Sequence, residues 1–374
     1  MKFTVSKTRL YSALSVVSRA VSANSPIPAL SGIKIDAEDD RLILTGSNSD
    51  ISIRINVRTD GDNDPDIQEK GSIVIDSKYL TDIVRKMDAE KIDVEIIDGT
   101  LTRFAGNKAE FKINGFRSSE YPEIDFSVPG VSMNMNAGKL ASIIESTAFA
   151  ASVKETRPVL TGVNLNSRNG RVIATATDSF RLARTVFEGT DADFSITVPS
   201  RSLNEAKAIF SDTSKDLLIH LDTKKIQFTT DDVILQSRLL DGSYPETERL
   251  IPHEFKHELV IDKRSLIGTI DRASLMKNEN MTVIRMQMKE GTDVMISNRA
   301  QEIGEFNEPV PAVSYHGAPL DISFAANYAM DALRAVDSPN VLIRFTGEMK
   351  PLIITNEAGE ESILQLILPI RTYN

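Results

Sequence analysis

The sequence contains no cysteine, so neither a disulfide nor a thiolate metal site can form. That absence fits a reducing compartment, and a cytoplasmic location is expected. The start, MKFTVSKTRL, alternates and then turns polar without an apolar core, so no signal peptide is expected there. Apolar runs such as Leu366–Ile370 fall far short of the roughly 20 residues that span a bilayer, and no membrane contact is expected. Neither a GxxxxGK[ST] nor a GxGxxG phosphate loop occurs, and GxSxG is missing too. Histidine is scarce. Of His220, His253, His257 and His316, only His253 and His257 have a ligand-like spacing, and they follow Pro252 in a polar stretch without an HExxH context. Asp231–Asp232 reads as a hairpin turn. No poised catalytic set, metal site or cofactor is expected.

What is present is a pattern repeated three times in 374 residues. A strand runs into a helix at KFTVSKTRLYSALSVVSRAV, at SMNMNAGKLASIIESTAFAA and at HELVIDKRSLIGTIDRASLM. Their matching leucines, Leu10, Leu140 and Leu266, are offset by 130 and 126. Alternating strands follow, with turns at Glu38–Asp40, Asn169–Gly170 and Glu290–Gly291. A second strand-to-helix step places Leu80, Leu203 and Met330 in register, with offsets of 123 and 127. The first two copies close on related phrases, SSEYPEI and GSYPETE. Ser6, Ser77, Ser200 and Asp262 stand where helix N-caps are expected. A repeat this long is a whole domain rather than a solenoid unit. The fold class is therefore α+β, with three tandem domains expected at 1–126, 127–250 and 251–374, each carrying two helices packed on antiparallel sheets.

Net charge is −10, which taken alone argues against nucleic acid. The distribution differs from the total. Over the six predicted helical segments, 7–22, 77–89, 137–150, 200–210, 262–278 and 327–337, the charges sum to +6, leaving −16 for the rest. If those helices faced one side, they would form a positive surface within a negative body, attracting phosphates without reading bases.

Four segments carry a family resemblance: ETRPVLTGV (Glu155–Val163), ATDSFRLA (Ala176–Ala183), SYPETERLIP (Ser243–Pro252) and LILPIRT (Leu366–Thr372). In this order on a triplicated pattern, the whole chain resembles the bacterial DNA polymerase III beta subunits, the DNA sliding clamps. The resemblance implies a non-catalytic processivity subunit with three DNA-clamp domains. Two chains would close head to tail into a ring-shaped homodimer around double-stranded DNA, without sequence specificity. Its implied partners are the replicative DNA polymerase alpha subunit, the clamp loader, and repair polymerases and mismatch-repair proteins.

Carried over position by position, the implied peptide-binding pocket uses Leu160, Thr177, Ser179, Phe180, Arg181, Leu182, Pro245, Arg249, Leu250, Met349, Pro351, Leu366 and Leu368. Its aliphatic walls would take apolar anchors while arginines hold backbone carbonyls. The family's ATDGHRLA reads ATDSFRLA here, so Ser179 and Phe180 replace Gly and His. DNA-facing candidates are Lys7, Arg9, Lys78, Arg85, Lys86, Lys154, Arg157, Arg201, Lys207, Arg264 and Arg272. A basic residue that contacts DNA in some relatives, in the loop before PALSG, falls at Asn24, and that contact is expected to be lost. The implied dimer interface uses Leu275 and Met276 against Phe111. Without the resemblance, the residues say three α+β repeats and no recognisable enzyme site.

Overall fold

The structure, a computed structural model, describes residues 1–277 and 281–371. Six α-helices occur among them: α1 (Lys7–Val17), α2 (Ser77–Lys86), α3 (Ala137–Thr147), α4 (Ser200–Ile209), α5 (Lys263–Ala273) and α6 (Ala326–Ala335). Each follows directly on a strand, as the repeat implies. The 262–278 segment ends as a helix at Ala273, and its residue 278 lies outside the described residues. Each helix buries one stripe at 3.6-residue spacing. In α1 the stripe is Leu10, Ala13, Leu14 and Val17, and in α5 it is Leu266, Thr269, Ile270 and Ala273. All six repeat-matched residues (Leu10, Leu80, Leu140, Leu203, Leu266 and Met330) are buried.

The caps differ from expectation at two of the serines. Ser77 is the first helical residue of α2, and Asp76 caps it, its carboxylate accepting from the Lys78 and Tyr79 amides. Ser200 likewise begins α4 and donates its hydroxyl to the Thr161 carbonyl. Ser6 occupies the cap position of α1 without a side-chain cap bond, whereas Asp262 caps α5 through the Ser265 amide. At α2 the role falls to Asp76 because the helical backbone already begins at Ser77.

By contact density the chain forms two compact units, Met1–Gly138 with Glu205–Leu239, and Lys139–Asn204 with the residues from Leu240 onward. The first unit holds an eight-stranded antiparallel sheet in the order Val131–Asn136, Asp216–Leu221, Lys225–Thr229, Val233–Arg238, Ile51–Arg58, Arg41–Ser47, Gly32–Ala37 and Gly71–Asp76. It also holds a five-stranded sheet whose edge is Ala109–Asn114, and α1 packs against α2.

The second unit holds a nine-stranded sheet in the order Phe194–Pro199, Gly162–Arg168, Arg171–Thr177, Arg181–Glu188, Ile363–Ile367, Leu352–Asn356, Asn340–Phe345, His257–Asp262 and Ala312–His316. Its four-stranded sheet ends on Gly304–Val310, and α5 packs against α6. In both large sheets, strands of the middle repeat pair with strands of a flanking repeat. The core of this unit includes Leu266, Ile270, Met286, Phe324, Leu333 and Phe345.

His257 is not in a loop. It opens a strand, buried, with Nδ1 within 3.0 Å of the Tyr315 hydroxyl and 3.1 Å of the Ala318 carbonyl. Its bonds are therefore internal. Asp231 and Asp232 do form a hairpin turn, and Asp232 accepts from Arg58 Nε at 2.9 Å. No cluster of three acidic or histidine residues is arranged to hold a metal among the described residues, and no helix there is long and apolar enough to cross a membrane.

Helix and sheet meet closely at Gly46. A Cβ there would lie 2.7 Å from the Val17 carbonyl oxygen and 2.8 Å from Val17 Cγ1. Gly46→Val is expected to destabilise the protein by about 2 kcal/mol, because the overlap involves backbone that cannot move aside. Chemical denaturation checks this; an unchanged midpoint would show that the helix is not seated on that strand.

Candidate docking site

The face of the nine-stranded sheet that carries Leu182 is built in register. Thr177 lies opposite Leu182, Leu182 opposite Leu366, and Leu366 opposite Ile353. Because side chains alternate along a strand, Leu364 and Leu366 share that face while Ile367 joins the main core on the other side. Leu182, Leu364, Leu366, Ile353 and Ile251 form one buried apolar cluster, with Phe255 and Leu368 packed at its margin. Of these, Leu182, Leu366 and Leu368 are in the sequence-derived set. Ile251, Phe255, Ile353 and Leu364 were missed, although the period-two pattern of ILQLI marks Leu364 as facing with Leu366.

Exposed apolar residues stand in the segments that lead into the cluster's strands and linker. Phe180 is 59% exposed, Leu250 55% and Met349 54%, against a cluster whose members are nearly dry. Ser179, in the left-handed region at φ 79°, turns the chain before Phe180, and the Phe180 carbonyl accepts from the Leu368 amide at 2.9 Å. Thr177 is spent on this turn, its hydroxyl donating to the Arg181 carbonyl and accepting from the Ser179 amide. Pro245 and Arg249 are exposed in the loop from the middle to the last repeat, and Arg249 pairs with Glu246 at 3.3 Å. In the same loop, burial pushes the Tyr244 phenol well above its ordinary range, which keeps it neutral. Pro351 is half-buried beside the strand Leu352–Asn356. Leu160 is buried in the short turn Pro158–Thr161, and the apolar cluster forms without it.

Arg181 is tied into the fold around the site. Its guanidinium donates to Asp178 at 3.1 Å, to Asp331 at 2.6 Å and to the Phe149 carbonyl at 2.6 Å, and it stacks 4.5 Å over the Tyr328 ring. Three of its five N–H groups are engaged in these bonds. It is a structural tie within the site.

The equivalent row in the first unit has the same backbone pairing and opposite chemistry. Ser47 faces Ser52, Ser52 faces Gln236, and Gln236 faces Gln227. Gln227 Nε2 donates to Gln236 Oε1 at 2.8 Å and to the Phe126 and Ser127 carbonyls at 3.2 and 3.1 Å. Side-chain amides thus fasten the connecting loop where the other junction packs its loop by apolar contact through Ile251 and Phe255.

The basic candidates divide by their partners. Lys7 donates to the Met87 carbonyl at 2.6 Å, and Arg9 donates to Asp60 and to the Asp64 and Arg58 carbonyls. Arg272 is bidentate on Glu308, and that hydrogen bonding holds the Glu308 carboxyl below its usual range. Arg9 and Arg272 are thus paired with carboxylates, and Lys7 is tied to a backbone carbonyl. Arg85 pairs with Asp82 at 2.6 Å, and Lys207 is half-buried. Lys78, Lys86, Lys154, Arg157, Arg201 and Arg264 are exposed and make no ion pair within 4 Å among the described residues.

The implied interface residues are also exposed. Leu275 (68%) follows α5, with Met276 half-buried beside it, and α5 packs on the edge strand Gly304–Val310. Phe111 (40%) sits on the edge strand Ala109–Asn114 of the other unit. Thr372, the last residue of LILPIRT, lies outside the described residues.

Comparison with known proteins agrees across the chain. Models of the N-terminal, central and C-terminal domains of the DNA polymerase III beta subunit match residues 1–125, 134–246 and 248–371. The beta sliding clamp of Bacillus subtilis (strain 168) is 37% identical over 379 residues, covering all of both chains. That of Staphylococcus aureus (strain Mu50) is 36% identical over 378 residues with the same coverage. The crystal structure of the DNA polymerase sliding clamp from Bacillus subtilis superposes with a TM-score of 0.96 over the whole of both chains. The Pseudomonas aeruginosa beta subunit keeps the fold at 23% identity, with a TM-score of 0.92 over the whole of both chains. The chain therefore belongs to the bacterial DNA polymerase III beta-subunit family, the beta sliding clamps, and is a non-catalytic processivity subunit of three clamp domains.

Proposed function

We propose that two copies of this chain, each with domains at 1–126, 127–250 and 251–374, close head to tail into a ring around duplex DNA in the cytoplasm and carry its partners by peptide docking. The carrying observation is the apolar row Leu182–Leu366–Ile353 on one sheet face, together with exposed Phe180, Leu250 and Met349 in the segments that adjoin its strands and linker. A dry, shaped floor with unsatisfied apolar rims suits the anchor residues of an extended peptide. The replicative polymerase, the clamp loader, repair polymerases and mismatch-repair proteins would share it. Leu250→Asp with Met349→Asp is expected to weaken a polymerase-motif peptide at least tenfold in a polarisation titration, with the thermal midpoint unchanged, because both side chains are exposed. Retained affinity would place the pocket elsewhere.

Leu275 and Met276 of one chain would meet Phe111 of the other. The edge strands Gly304–Val310 and Ala109–Asn114 would then pair across the joint, removing two exposed edges at once. Leu275→Glu with Met276→Glu should convert a species of twice the chain mass into folded single chains, read by light scattering. An unchanged dimer would refute the interface.

For DNA, the uncompensated cations Lys78, Lys86, Lys154, Arg157, Arg201 and Arg264 are the working set, and binding should be weak, salt-sensitive and blind to sequence. Replacing Lys78, Lys86 and Arg264 by alanine should flatten the dependence of log affinity on log salt, by about one per lost phosphate contact. Replacing Lys7, Arg9 and Arg272 should lower stability instead. The reverse pattern would overturn this division of the basic residues.

A further inference from the structure

Beyond the apolar row, the same sheet face continues into a second, polar groove of roughly 840 Å³. Arg184, Glu246 and Glu248 line its near end, and Arg168, Arg171 and Glu188 its far end. Register makes the two continuous. Arg184 lies opposite Leu364 of the apolar cluster, and Val186 and Glu188 follow on the same face of the same strand. From Leu182 to Glu188 the strand advances about 20 Å, at about 3.4 Å per residue. An extended peptide covers that with about six residues.

The charges in the groove are not equally used. Glu248 lies 3.6 Å from Arg184, Glu246 3.3 Å from Arg249, and Glu361, also on the lining, 3.6 Å from Arg344. Asp193, at the hairpin tip nearby, accepts from the Asn169 amide. By contrast, Arg168 and Arg171 are exposed, adjacent across the Arg168–Arg171 hairpin, and without an ion pair within 4 Å among the described residues. Arg184 is mostly buried, and its Nε has no partner. The guanidinium end reaches the groove with a 3.6 Å ion pair to Glu248, which leaves N–H groups for a carbonyl oxygen of a bound chain.

We propose that this groove is a second recognition segment, which takes the stretch of partner chain flanking the docking motif. Arg184 holds that stretch by its backbone, and an acidic side chain about six residues from the apolar anchor meets Arg168 and Arg171. The proposal rests on the docking reading above and adds a charge preference to it. It gives partners that share one apolar motif a means of being ranked by their flanks.

The test is a polarisation titration of the full chain with labelled peptides. One carries the polymerase docking motif alone. Others extend it by six residues at either end, with two glutamates, two lysines or two alanines at the far positions. The glutamate extension at one end is expected to bind about threefold or more tighter than its alanine counterpart, in the range of two exposed ion pairs. Lysine should weaken it, and Arg168→Glu with Arg171→Glu should reverse the order. A gain equal at both ends, no gain at either, or a gain that survives the double substitution overturns the groove while leaving the docking site standing. A motif peptide that does not bind at all sinks the docking reading itself, and the groove with it.

Discussion

Everything in this chain depends on strands pairing across the repeat boundaries. Arg181–Glu188 of the middle repeat pairs with Ile363–Ile367 of the last, and Ile51–Arg58 of the first pairs with Val233–Arg238 of the middle. A domain that ended at its own boundary would present open sheet edges and invite uncontrolled pairing. Here each repeat covers an edge of the next, and the two compact units follow the sheets rather than the repeats. Cross-strand rows are then composed of residues from two repeats, so a row's chemistry is set by residues nearly 200 positions apart, as Leu182 and Leu366 are.

That construction explains how triplication yields distinct sites. The junction row of the second unit is Leu, Leu and Ile; that of the first is Ser, Gln and Gln on the same pairing. The backbone is duplicated, and a handful of side chains decides which copy fastens its loop through apolar packing and which through amide hydrogen bonds. The same economy applies to charge. Arg9, Arg181 and Arg272 are engaged in holding elements together, whereas Arg157, Arg201 and Arg264 are exposed and make no ion pair within 4 Å among the described residues. A guanidinium already bonded to carboxylates carries little field outward, so the count of basic residues overstates the positive surface.

The repeat itself was legible because it is written in periodicity. Leu10, Leu140 and Leu266 recur at offsets of 130 and 126, and the helices begin where the strands end. The caps were legible only in part, since Asp76 and Ser77 are both good cap residues and only geometry chooses between them. Of the docking site, the terminal leucines and the SYPETERLIP loop stood out. Ile353 and Phe255 did not, because they reach the cluster through cross-strand register and a loop path that no local pattern encodes. Least legible was the occupation of the cations. Nothing in the sequence near Arg9 announces that Asp60 and Asp64, more than 50 residues on, will take up its charge.

The most direct measurement is negative-stain electron microscopy of the purified protein at micromolar concentration. The account predicts closed rings of two chains with a central hole wide enough to pass duplex DNA. Compact single chains without a hole would contradict it, leaving the apolar row and the unpaired cations as features of a protein that does not encircle its template.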